Sequence, residues 1–450
     1  MRQTFIAALF AVTACAPAIK PAIEIPRPAA VDTAVPAIPP VVRLRRSIDS
    51  LVGQPKFRNA HFGILVVDPA SGDTLYSRNA SKLMMPASNM KILTGAVALA
   101  QLGADYRYTT RFASRGTISR GVLKGDLVVI GNGDPTVSDR MRKGDAMNAL
   151  RDMADSLRAR GIRKIEGKLV PGGDAFPGTN YGYGWEMGYL DDYYAAPVDE
   201  LNYSEGMDKV PAKTEAGKDT LVEVVSKHPL KSFLFYLNRA LGERGITVTR
   251  GPGDSTTRAD TTGLKTIFEF KSLPLRDILF VLENPSQNQT GEILLRTLGL
   301  EKTGYGLPDS GIAVMERQLV EWGIEKDGFQ IADGSGLARR DLISPETLVR
   351  TLVVMLRPEY RDVFQASLAT PGGPGTLRNR LKGTPAANNL KAKTGSISNA
   401  RSLSGYINTA DGRPLVFAML LNNYTVDSGE VTGLADAVAI LLATYSGPTH

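Results

Sequence analysis

Cysteine and histidine are scarce in this chain of 450 residues. Cys15 is the only cysteine, so an internal disulfide is impossible and the chain beyond it has no thiol nucleophile. The histidines are His61, His228 and His450, and none has another ligand type beside it at metal-binding spacing. The sequence therefore argues against a histidine-based metal site and a Ser-His-Asp triad, and we expect no metal and no cofactor. Any serine chemistry in this protein needs another base.

The chain also lacks a long hydrophobic run and a dense run of one charge. Its apolar N-terminal segment, residues 5–12, follows a single charge at Arg2 and is too short to span a bilayer, so residues 1–15 are predicted to be an export signal. The 53 Lys and Arg residues outnumber the 46 Asp and Glu residues but are spread along the chain, which argues against a nucleic-acid partner. A length of 450 residues is enough for about two or three domains, and a hydrophobic content of 43% is ordinary for a globular protein.

The end of the export signal, Val12-Thr13-Ala14-Cys15, resembles a bacterial lipoprotein box, in which the cysteine is lipidated and becomes the mature N-terminus. The alternative is an ordinary small-residue cleavage site with an incidental cysteine. Residues 16–42 are rich in Pro and Ala and suit an extended tether, after which the folded body is expected to begin near Arg43. We therefore expect an exported protein of the periplasm or cell envelope, attached to the membrane only if Cys15 is lipidated.

The segment Ser88-Asn89-Met90-Lys91 places a serine and a lysine one helical turn apart. Pro86 precedes the segment and an apolar run follows it until Gly103, which predicts a buried helix between them. The Lys91 amine then lies on the same face as the Ser88 hydroxyl and can act as its base, if burial and the helix dipole keep the amine neutral. A serine N-cap beside a solvated lysine is the commoner outcome of this spacing.

The segment Ser286-Gln287-Asn288 fills a short joint between two predicted helices. The first helix, residues 275–282, ends before Pro285, and the second, residues 292–298, ends at Gly299. Such a joint can hold a hydroxyl and a carboxamide at the mouth of a cleft. A polar loop with N-capping residues is the simpler alternative.

The third segment, Lys393-Thr394-Gly395, lies in a predicted strand. Alternation places Lys391 and Lys393 on one face and Thr394 on the other, and Gly395 would let a substrate backbone approach. A lysine and a threonine hydroxyl near a cleft suit a free carboxylate through charge-assisted hydrogen bonds. The alternative is an exposed edge strand protected by its lysines.

Together, and in this order, the three segments resemble the penicillin-binding serine-lysine acyl transferases, and more closely the low-molecular-mass D-alanyl-D-alanine carboxypeptidases of the peptidase S13 family. Further stretches similar to that family are Gly125–Leu127, Gly131–Thr136, Asp333–Leu337, Gly375–Arg378 and Leu403–Tyr406. The similarity runs from about Ser47 to the C-terminal region. One departure is the stretch from Gln289 to Glu292, where the family often has an aromatic residue before the acidic one.

The resemblance implies a catalytic role for four residues. Ser88 would be the nucleophile and Lys91 the base that activates it. Ser286 would relay a proton to the leaving amine, and Asn288 would hold the amide of the substrate. Attack on a D-Ala-D-Ala peptide would release the last D-Ala and leave an acyl-enzyme that water cleaves.

The resemblance also implies how the substrate is bound. Lys393 and Thr394 would bind the terminal carboxylate, with Gly395 beside them. The N–H groups of Ser88 and Ser396 would form the oxyanion hole. The expected partners are peptidoglycan peptides that end in D-Ala-D-Ala, with β-lactam antibiotics as covalent inhibitors. An endopeptidase cut of a peptidoglycan crosslink would use the same steps.

The resemblance implies an α+β protein with the penicillin-binding, serine β-lactamase-like transpeptidase fold, an antiparallel sheet flanked by helices. Residues 43–105 and 265–450 would form this domain, closed by a strand at 415–421 and a C-terminal helix, with the active site between the sheet edge and the helices. Residues 106–264 would form one or two inserted subdomains. Their aromatic cluster, Trp185 with Tyr189, Tyr193 and Tyr194, is more typical of packing, and no site is predicted there.

Two other functions fit the same motifs. A β-lactam-hydrolysing enzyme would share the fold and the acylation step, but the long insert argues against it because the smaller class A β-lactamases lack one. The second alternative is a non-catalytic, peptidoglycan-binding lipoprotein. Such a protein would not need intact catalytic residues, so the three complete motifs argue against it.

Overall fold

The computed structural model describes residues 38–215, 217–254 and 257–448, and a compact unit begins at Pro39. The predicted export signal, the predicted lipidation site Cys15 and most of the predicted tether lie outside the described residues. The helices are α1 (Pro40–Val52), α2 (Met90–Leu102), α3 (Met147–Ala159), α4 (Pro229–Glu243), α5 (Leu275–Glu283), α6 (Asn288–Thr303), α7 (Pro308–Glu321), α8 (Pro345–Val354), α9 (Pro358–Ser367) and α10 (Ser428–Thr444). Within the described part of the chain, none of them is long and apolar enough to span a bilayer.

The strands are mostly short outside the central sheet. In chain order they are β1 (His61–Val67), β2 (Thr74–Arg78), β3 (Thr109–Ser114), β4 (Thr117–Ser119), β5 (Val122–Lys124), β6 (Leu127–Ile130), β7 (Lys164–Ile165), β8 (Leu169–Pro171), β9 (Met207–Lys213), β10 (Asp219–Val225), β11 (Thr247–Val248), β12 (Lys265–Lys271), β13 (Phe329–Gln330), β14 (Leu342–Ile343), β15 (Lys391–Ile397), β16 (Ala400–Asn408) and β17 (Pro414–Asn422).

The central sheet is antiparallel, with the strand order β15-β16-β17-β1-β2. Strand β17 is almost entirely apolar because both of its faces are covered. Val416, Ala418 and Leu420 pack towards the helices α2 and α5–α8, whereas Phe417 and Met419 pack towards α1 and α10. This layered arrangement confirms the predicted α+β fold with an antiparallel sheet flanked by helices.

The folded body begins slightly before the boundary expected at Arg43. Pro40 starts α1, a favourable position for proline because the first helical N–H has no partner within the helix. Val41 and Leu44 are buried in the core that α1 shares with α10 and the sheet. The last residues assigned to the tether therefore belong to the first helix.

The helix predicted after Ser88 is confirmed as α2, which ends at Gly103 with a positive φ of 82°. The predicted end of α6 at Gly299 is wrong, since the helix continues to Thr303 and stops at Gly304 with a φ of 81°. Gly299 instead allows close packing, because a Cβ there would lie 2.6 Å from the Tyr305 carbonyl oxygen. A glycine in a helical sequence can end the helix or let a neighbouring segment pack closely against it. The sequence pattern alone does not distinguish these two roles.

The insert contains two four-stranded sheets, ordered β12-β3-β6-β8 and β11-β7-β5-β4, and a hairpin of β9 and β10. Helices α3 and α4 pack with the strands in a separate hydrophobic core. Strand β12 pairs with β3 from Lys265 to Lys271, so the insert ends near Lys271 and not at residue 264. This pairing brings the two ends of the insert together as neighbouring strands.

Candidate active site

A cleft of about 530 Å³ lies between the edge strand β15, the turn before α2, the α5–α6 joint and the insert. Residues from all three sequence motifs line it, namely Ser88, Ser286, Asn288 and Thr394, and so does Ser396. The cleft lies where the active site is predicted, between the sheet edge and the helices. Chain segments that are far apart in the sequence thus meet at one concave surface.

Ser88 lies in a single 3-10 turn, Ala87–Asn89, directly before α2. The Nζ atom of Lys91 donates hydrogen bonds to Ser88 Oγ at 3.1 Å, to Asn288 Oδ1 at 2.5 Å and to the Ser335 carbonyl oxygen at 2.6 Å. Lys91 is fully buried, so the alternative of a solvated lysine is wrong. The serine and the amine are within direct proton-transfer distance.

The electrostatic environment of Lys91 favours a partly neutral amine. Burial lowers the pKa of Lys91 to about 8, against the opposing charges of Asp333, Glu283 and other buried acids. Desolvation penalises the charged form of any buried amine, and nearby carboxylates recover part of that penalty. A pKa near 8 lets Lys91 accept a proton from Ser88 near neutral pH.

The turn that carries Ser88 is held by contacts to the sheet. Ser402 Oγ donates to the Pro86 carbonyl oxygen at 2.7 Å, and Asn89 Nδ2 donates to the Lys393 carbonyl oxygen at 3.0 Å. Ala87, next to the nucleophile, has a φ of +48°, which is uncommon for a residue with a side chain. Such backbone conformations persist only where the surroundings enforce them, as these two hydrogen bonds do here.

The second motif divides between a joint and a helix. Ser286, with a φ of +68°, lies in the joint, while Asn288 is the first residue of α6 and not part of the loop. Gln287 is the N-cap, since its side chain accepts a hydrogen bond from the N–H of Thr290. Asn288 receives the Lys91 amine on Oδ1 and donates through Nδ2 to the Tyr194 carbonyl oxygen at 2.8 Å. Gln287 is therefore an N-capping residue, as in the simpler alternative, whereas hydrogen bonds hold Asn288 beside Lys91.

The two lysines of β15 have different environments. Lys391 is exposed, as expected at an edge strand, but Lys393 is fully buried and donates to the Thr394 carbonyl oxygen at 2.9 Å. Burial and the charge of Lys91 lower the pKa of Lys393, whereas the charge of Glu283 raises it. Thr394 lines the cleft, and Lys393, the residue before it, is buried. The edge-strand alternative is wrong for Lys393.

Gly395 makes room for the protein itself. A Cβ at this position would lie 2.0 Å from Ser402 Oγ, 2.8 Å from the Pro86 carbonyl oxygen and 3.0 Å from the Ser88 nitrogen. The turn carrying Ser88 already occupies the space that a Cβ would need, so packing alone requires a glycine here, and contact with a substrate backbone stays a prediction.

The outer edge of β15 presents backbone N–H groups next to the nucleophile. Ala392 pairs with Ala369 through that edge, with its N–H donating at 2.9 Å and its carbonyl oxygen accepting at 3.2 Å. Backbone groups of an antiparallel strand point to the same side at every second residue, so the N–H of Ser396 faces the same edge. The Ser88 nitrogen is adjacent to Gly395. The two predicted oxyanion-hole donors therefore border the same end of the cleft.

Several groups at the site are not part of the three motifs. The Ser335 carbonyl oxygen, a ligand of Lys91, belongs to a turn in which Asp333 accepts the N–H groups of Ser335 and Gly336. Asp333 also accepts the indole N–H of Trp185 at 2.7 Å. The sequence marked residues 333–337 only as a segment of family resemblance, with no predicted role.

The insert also lines the cleft, through Tyr189, Tyr193 and Tyr194. The sequence favoured packing for these aromatic residues, and no local signal distinguishes packing from lining a cleft. Together with the Trp185 bond to Asp333 and the bond from Asn288 to the Tyr194 carbonyl, these side chains make the insert part of the site.

The sequence matches the D-Ala-D-Ala carboxypeptidase 3 (S13) family over residues 44–234 and 214–445. It is 32% identical to carboxypeptidase DacB of Mycolicibacterium smegmatis, over 80% of this chain and 75% of the relative. The chain belongs to the S13 peptidase family. A D-alanyl-D-alanine carboxypeptidase of an Actinomadura species is 29% identical, over 90% of this chain and 86% of the relative.

The fold of this S13 peptidase is similar to that of penicillin binding protein 4 (dacB) from Haemophilus influenzae. The TM-score is 0.73 at 20% sequence identity, over 88% of this chain and 99% of that one. The same Haemophilus protein has also been solved in complex with a β-lactam. At this identity the likeness shows the shared fold.

Two residues of the stretch after Asn288 pack against the turn at residues 333–337. A Cβ at Gly291 would lie 2.8 Å from the Gly334 carbonyl oxygen, so α6 contacts the turn that presents the Ser335 carbonyl. Glu292, which is buried, accepts the N–H of Gly334 at 3.0 Å. The glycine and the glutamate thus hold the Lys91 acceptor in place.

Proposed function

We propose that this S13 peptidase is a serine D-Ala-D-Ala carboxypeptidase that acts on peptidoglycan stem peptides through a Ser88 acyl-enzyme and is inhibited by β-lactams. The observation that carries the proposal is the 3.1 Å contact between Ser88 Oγ and the Nζ atom of a fully buried lysine. Direct contact between a nucleophile and a base with a lowered pKa is the arrangement that activates a hydroxyl.

Acylation begins when Lys91 accepts the Ser88 proton and Oγ attacks the carbonyl of the D-Ala-D-Ala bond. The N–H groups of Ser88 and Ser396 bind the oxyanion, which is the largest electrostatic contribution in acyl transfer. The C–N bond then breaks, and Ser286, across the cleft, passes the proton that Lys91 took from Ser88 to the departing nitrogen. D-Ala leaves as a neutral amine and the acyl group remains on Ser88. Water then cleaves the ester. An endopeptidase cut differs only in the amine that leaves.

Recognition of the terminal carboxylate involves two layers. The Thr394 hydroxyl, on the cleft wall, donates a hydrogen bond to the carboxylate. Lys393 lies behind Thr394 and contributes positive charge through a water-excluded environment, where charge interactions are strong. This arrangement favours the binding of peptides that end in a free carboxylate. It also favours the binding of β-lactams, which carry a carboxylate of their own.

The proposed substrate lies outside the cytoplasm, so the proposal includes export to the cell envelope. The membership in a family of cell-wall enzymes and the N-terminal signal pattern of residues 1–15 support export. Lipidation of Cys15 would add a membrane anchor, and residues 16–39 would then separate that anchor from the peptidase.

Release of D-alanine tests the proposed function directly. The native protein is expected to release D-Ala from a peptide ending in D-Ala-D-Ala, and Ser88→Ala is expected to release none above background. The released amino acid can be measured with a D-amino acid oxidase assay. Absence of release from peptides and from isolated muropeptides by the native protein would overturn the proposal.

The pH dependence of acylation follows from the Lys91 environment. Because the pKa of Lys91 is lowered to about 8, the protonated amine predominates below that pH and cannot accept the Ser88 proton. The second-order rate of acylation by benzylpenicillin is therefore expected to rise with pH, about tenfold per unit well below pH 8. Stopped-flow or reporter-displacement kinetics between pH 5.5 and 9 measure this. A flat profile would contradict the role of Lys91 as base.

A further inference from the structure

An ion pair from the insert lines the cleft and has no role in the chemistry described above. Arg140, in the loop after β6, donates through Nε to Glu205 Oε2 at 2.9 Å, and both side chains line the same cleft as Ser88 and Ser286. The Arg140 side chain is 51% exposed and that of Glu205 is 16% exposed. A partly exposed ion pair contributes little to stability, so its position in the cleft points to a role in binding.

The backbone around Glu205 is strained. Ser204 and Glu205 have φ values of +46° and +57°, in the left-handed region that residues with a side chain seldom adopt. The Ser204 N–H donates to the Val137 carbonyl oxygen at 2.8 Å, and Ser138 Oγ donates to Glu205 Oε1 at 2.8 Å. Such conformations persist only where the surroundings hold them, and they cluster at functional sites. The turn thus fixes the Glu205 carboxylate, and the carboxylate fixes Arg140.

The bond to Glu205 leaves the outer end of the Arg140 guanidinium available. Only Nε takes part in this bond, and neither terminal nitrogen donates to another group among the described residues. These two nitrogens can bind a carboxylate through two parallel hydrogen bonds. Glu205 is already shared, because Gln287 Nε2 donates to its Oε2 at 3.4 Å. Arg140 is therefore the member of the pair that can bind a ligand, and the ligand that suits it is a carboxylate.

One end of the cleft lies at Thr394, the residue proposed to bind the terminal carboxylate. The loop after α9 borders this end, because Ala369 pairs with Ala392, two residues before Thr394. The same loop reaches the α5–α6 joint, where the Thr376 N–H donates to the Asn284 carbonyl oxygen at 3.1 Å. The strand, the loop and the joint therefore meet at the Thr394 end of the cleft.

The ion pair lies beside this joint. Gln287 donates to Glu205 and directly follows Ser286, the residue proposed to pass a proton to the departing nitrogen. The leaving group therefore departs at the end of the cleft that Arg140 and Glu205 line. A departing D-Ala has one carboxylate, which is assigned to Thr394, so a second carboxylate at Arg140 requires a longer leaving group.

We propose that Arg140, oriented by Glu205, binds a carboxylate of the leaving stem peptide when this protein cuts a peptidoglycan crosslink. In that reaction the departing nitrogen belongs to a second stem peptide, which carries further carboxylates of its own. The ion pair thereby favours crosslinked peptides over free D-Ala-D-Ala ends. The inference rests on the proposed function, since it adds one contact to the same acyl transfer.

The test compares three reactions of the native protein and of Arg140→Gln, which keeps a polar side chain and removes the charge. We expect kcat/KM for cleavage of a crosslinked muropeptide dimer to fall about tenfold or more, because a charged hydrogen bond is lost. Liquid chromatography of the products measures this rate. D-Ala release from a stem peptide ending in D-Ala-D-Ala and acylation by benzylpenicillin are expected to change by less than about twofold, since neither reaction has a leaving stem.

Arg317→Gln, which removes an exposed charge in α7, is the matched control and is expected to behave like the native protein in all three reactions. A modified substrate tests the same contact from the other side. It is a dimer whose leaving stem is amidated at every carboxylate except the one beside the departing nitrogen. The native protein is expected to cleave it about tenfold more slowly than the unmodified dimer, whereas Arg140→Gln is expected to cleave both at similar rates.

Equal losses in all three reactions, unchanged cleavage of the dimer by Arg140→Gln, or equal native rates on the two dimers would overturn the proposal. The comparison of the two dimers needs only the native protein, so it decides the question if Arg140→Gln fails to fold, as thermal unfolding would show. A native protein that releases D-Ala but leaves the dimer uncut would also overturn the proposal. A native protein that neither releases D-Ala nor is acylated by benzylpenicillin would instead overturn the proposed function.

Discussion

Lys91→Met is expected to lower the acylation rate of Ser88 by about 10³-fold or more, because the serine loses the only base in contact with its hydroxyl among the described residues. Methionine fills a similar volume, so the buried site stays packed. The Asn288 and Ser335 oxygens lose a donor, at about 1–3 kcal/mol for each buried group left unpaired. Acylation by benzylpenicillin, followed by intact mass over hours, measures the loss.

Lys391→Met is the matched control for Lys91→Met, because it makes the same substitution at an exposed lysine in β15. Its acylation rate is expected to stay within twofold of the native rate. Thermal unfolding of both variants separates lost chemistry from lost folding. A folded Lys91→Met protein that retained a tenth of the native rate would show that another group acts as the base.

Gly395→Ala is expected to lower acylation by about 10²-fold. The new methyl group would lie 2.0 Å from Ser402 Oγ and 3.0 Å from the Ser88 nitrogen, so β15 or the nucleophile turn must move. A displacement of about 1 Å in the reacting groups costs about two orders of magnitude in rate. The same displacement separates the N–H groups proposed to bind the oxyanion. Second-order acylation rates with benzylpenicillin measure the effect.

Gly433→Ala is the matched control for this substitution. Gly433 lies exposed in α10, and a Cβ there meets nothing within 4 Å. This change is expected to leave acylation unchanged and to stabilise the protein by about 1 kcal/mol through helix propensity. Native-like acylation by Gly395→Ala would contradict the close packing of β15 against the nucleophile turn.

The sequence predicted the parts of the fold that depend on local patterns. The apolar run after Ser88 became α2, and the apolar segment at 415–421 became β17. The spacing of Ser88 and Lys91 placed the two side chains together, because residues three apart share a helix face. Such features follow from periodicity and capping, which operate over a few residues.

Other parts of the site depend on contacts between distant segments, which no local pattern encodes. The carbonyl groups of Ser335 and Tyr194 are backbone atoms, present at every position, and only the fold places them against Lys91 and Asn288. From the sequence, Gly299 could either end a helix or allow another segment of the chain to pack closely. Its contact with the Tyr305 carbonyl oxygen shows that it does the second. The burial of Lys393 likewise depends on helices that are remote in the sequence.

The most direct test of the account is the intact mass of the soluble body, from Pro40 onward, after incubation with benzylpenicillin. We expect one penicilloyl adduct on the native protein, located by peptide mapping at Ser88, and none on Ser88→Ala. An adduct on both proteins, or an unmodified native protein with intact penicillin, would contradict the assignment of Ser88 as the acylated nucleophile.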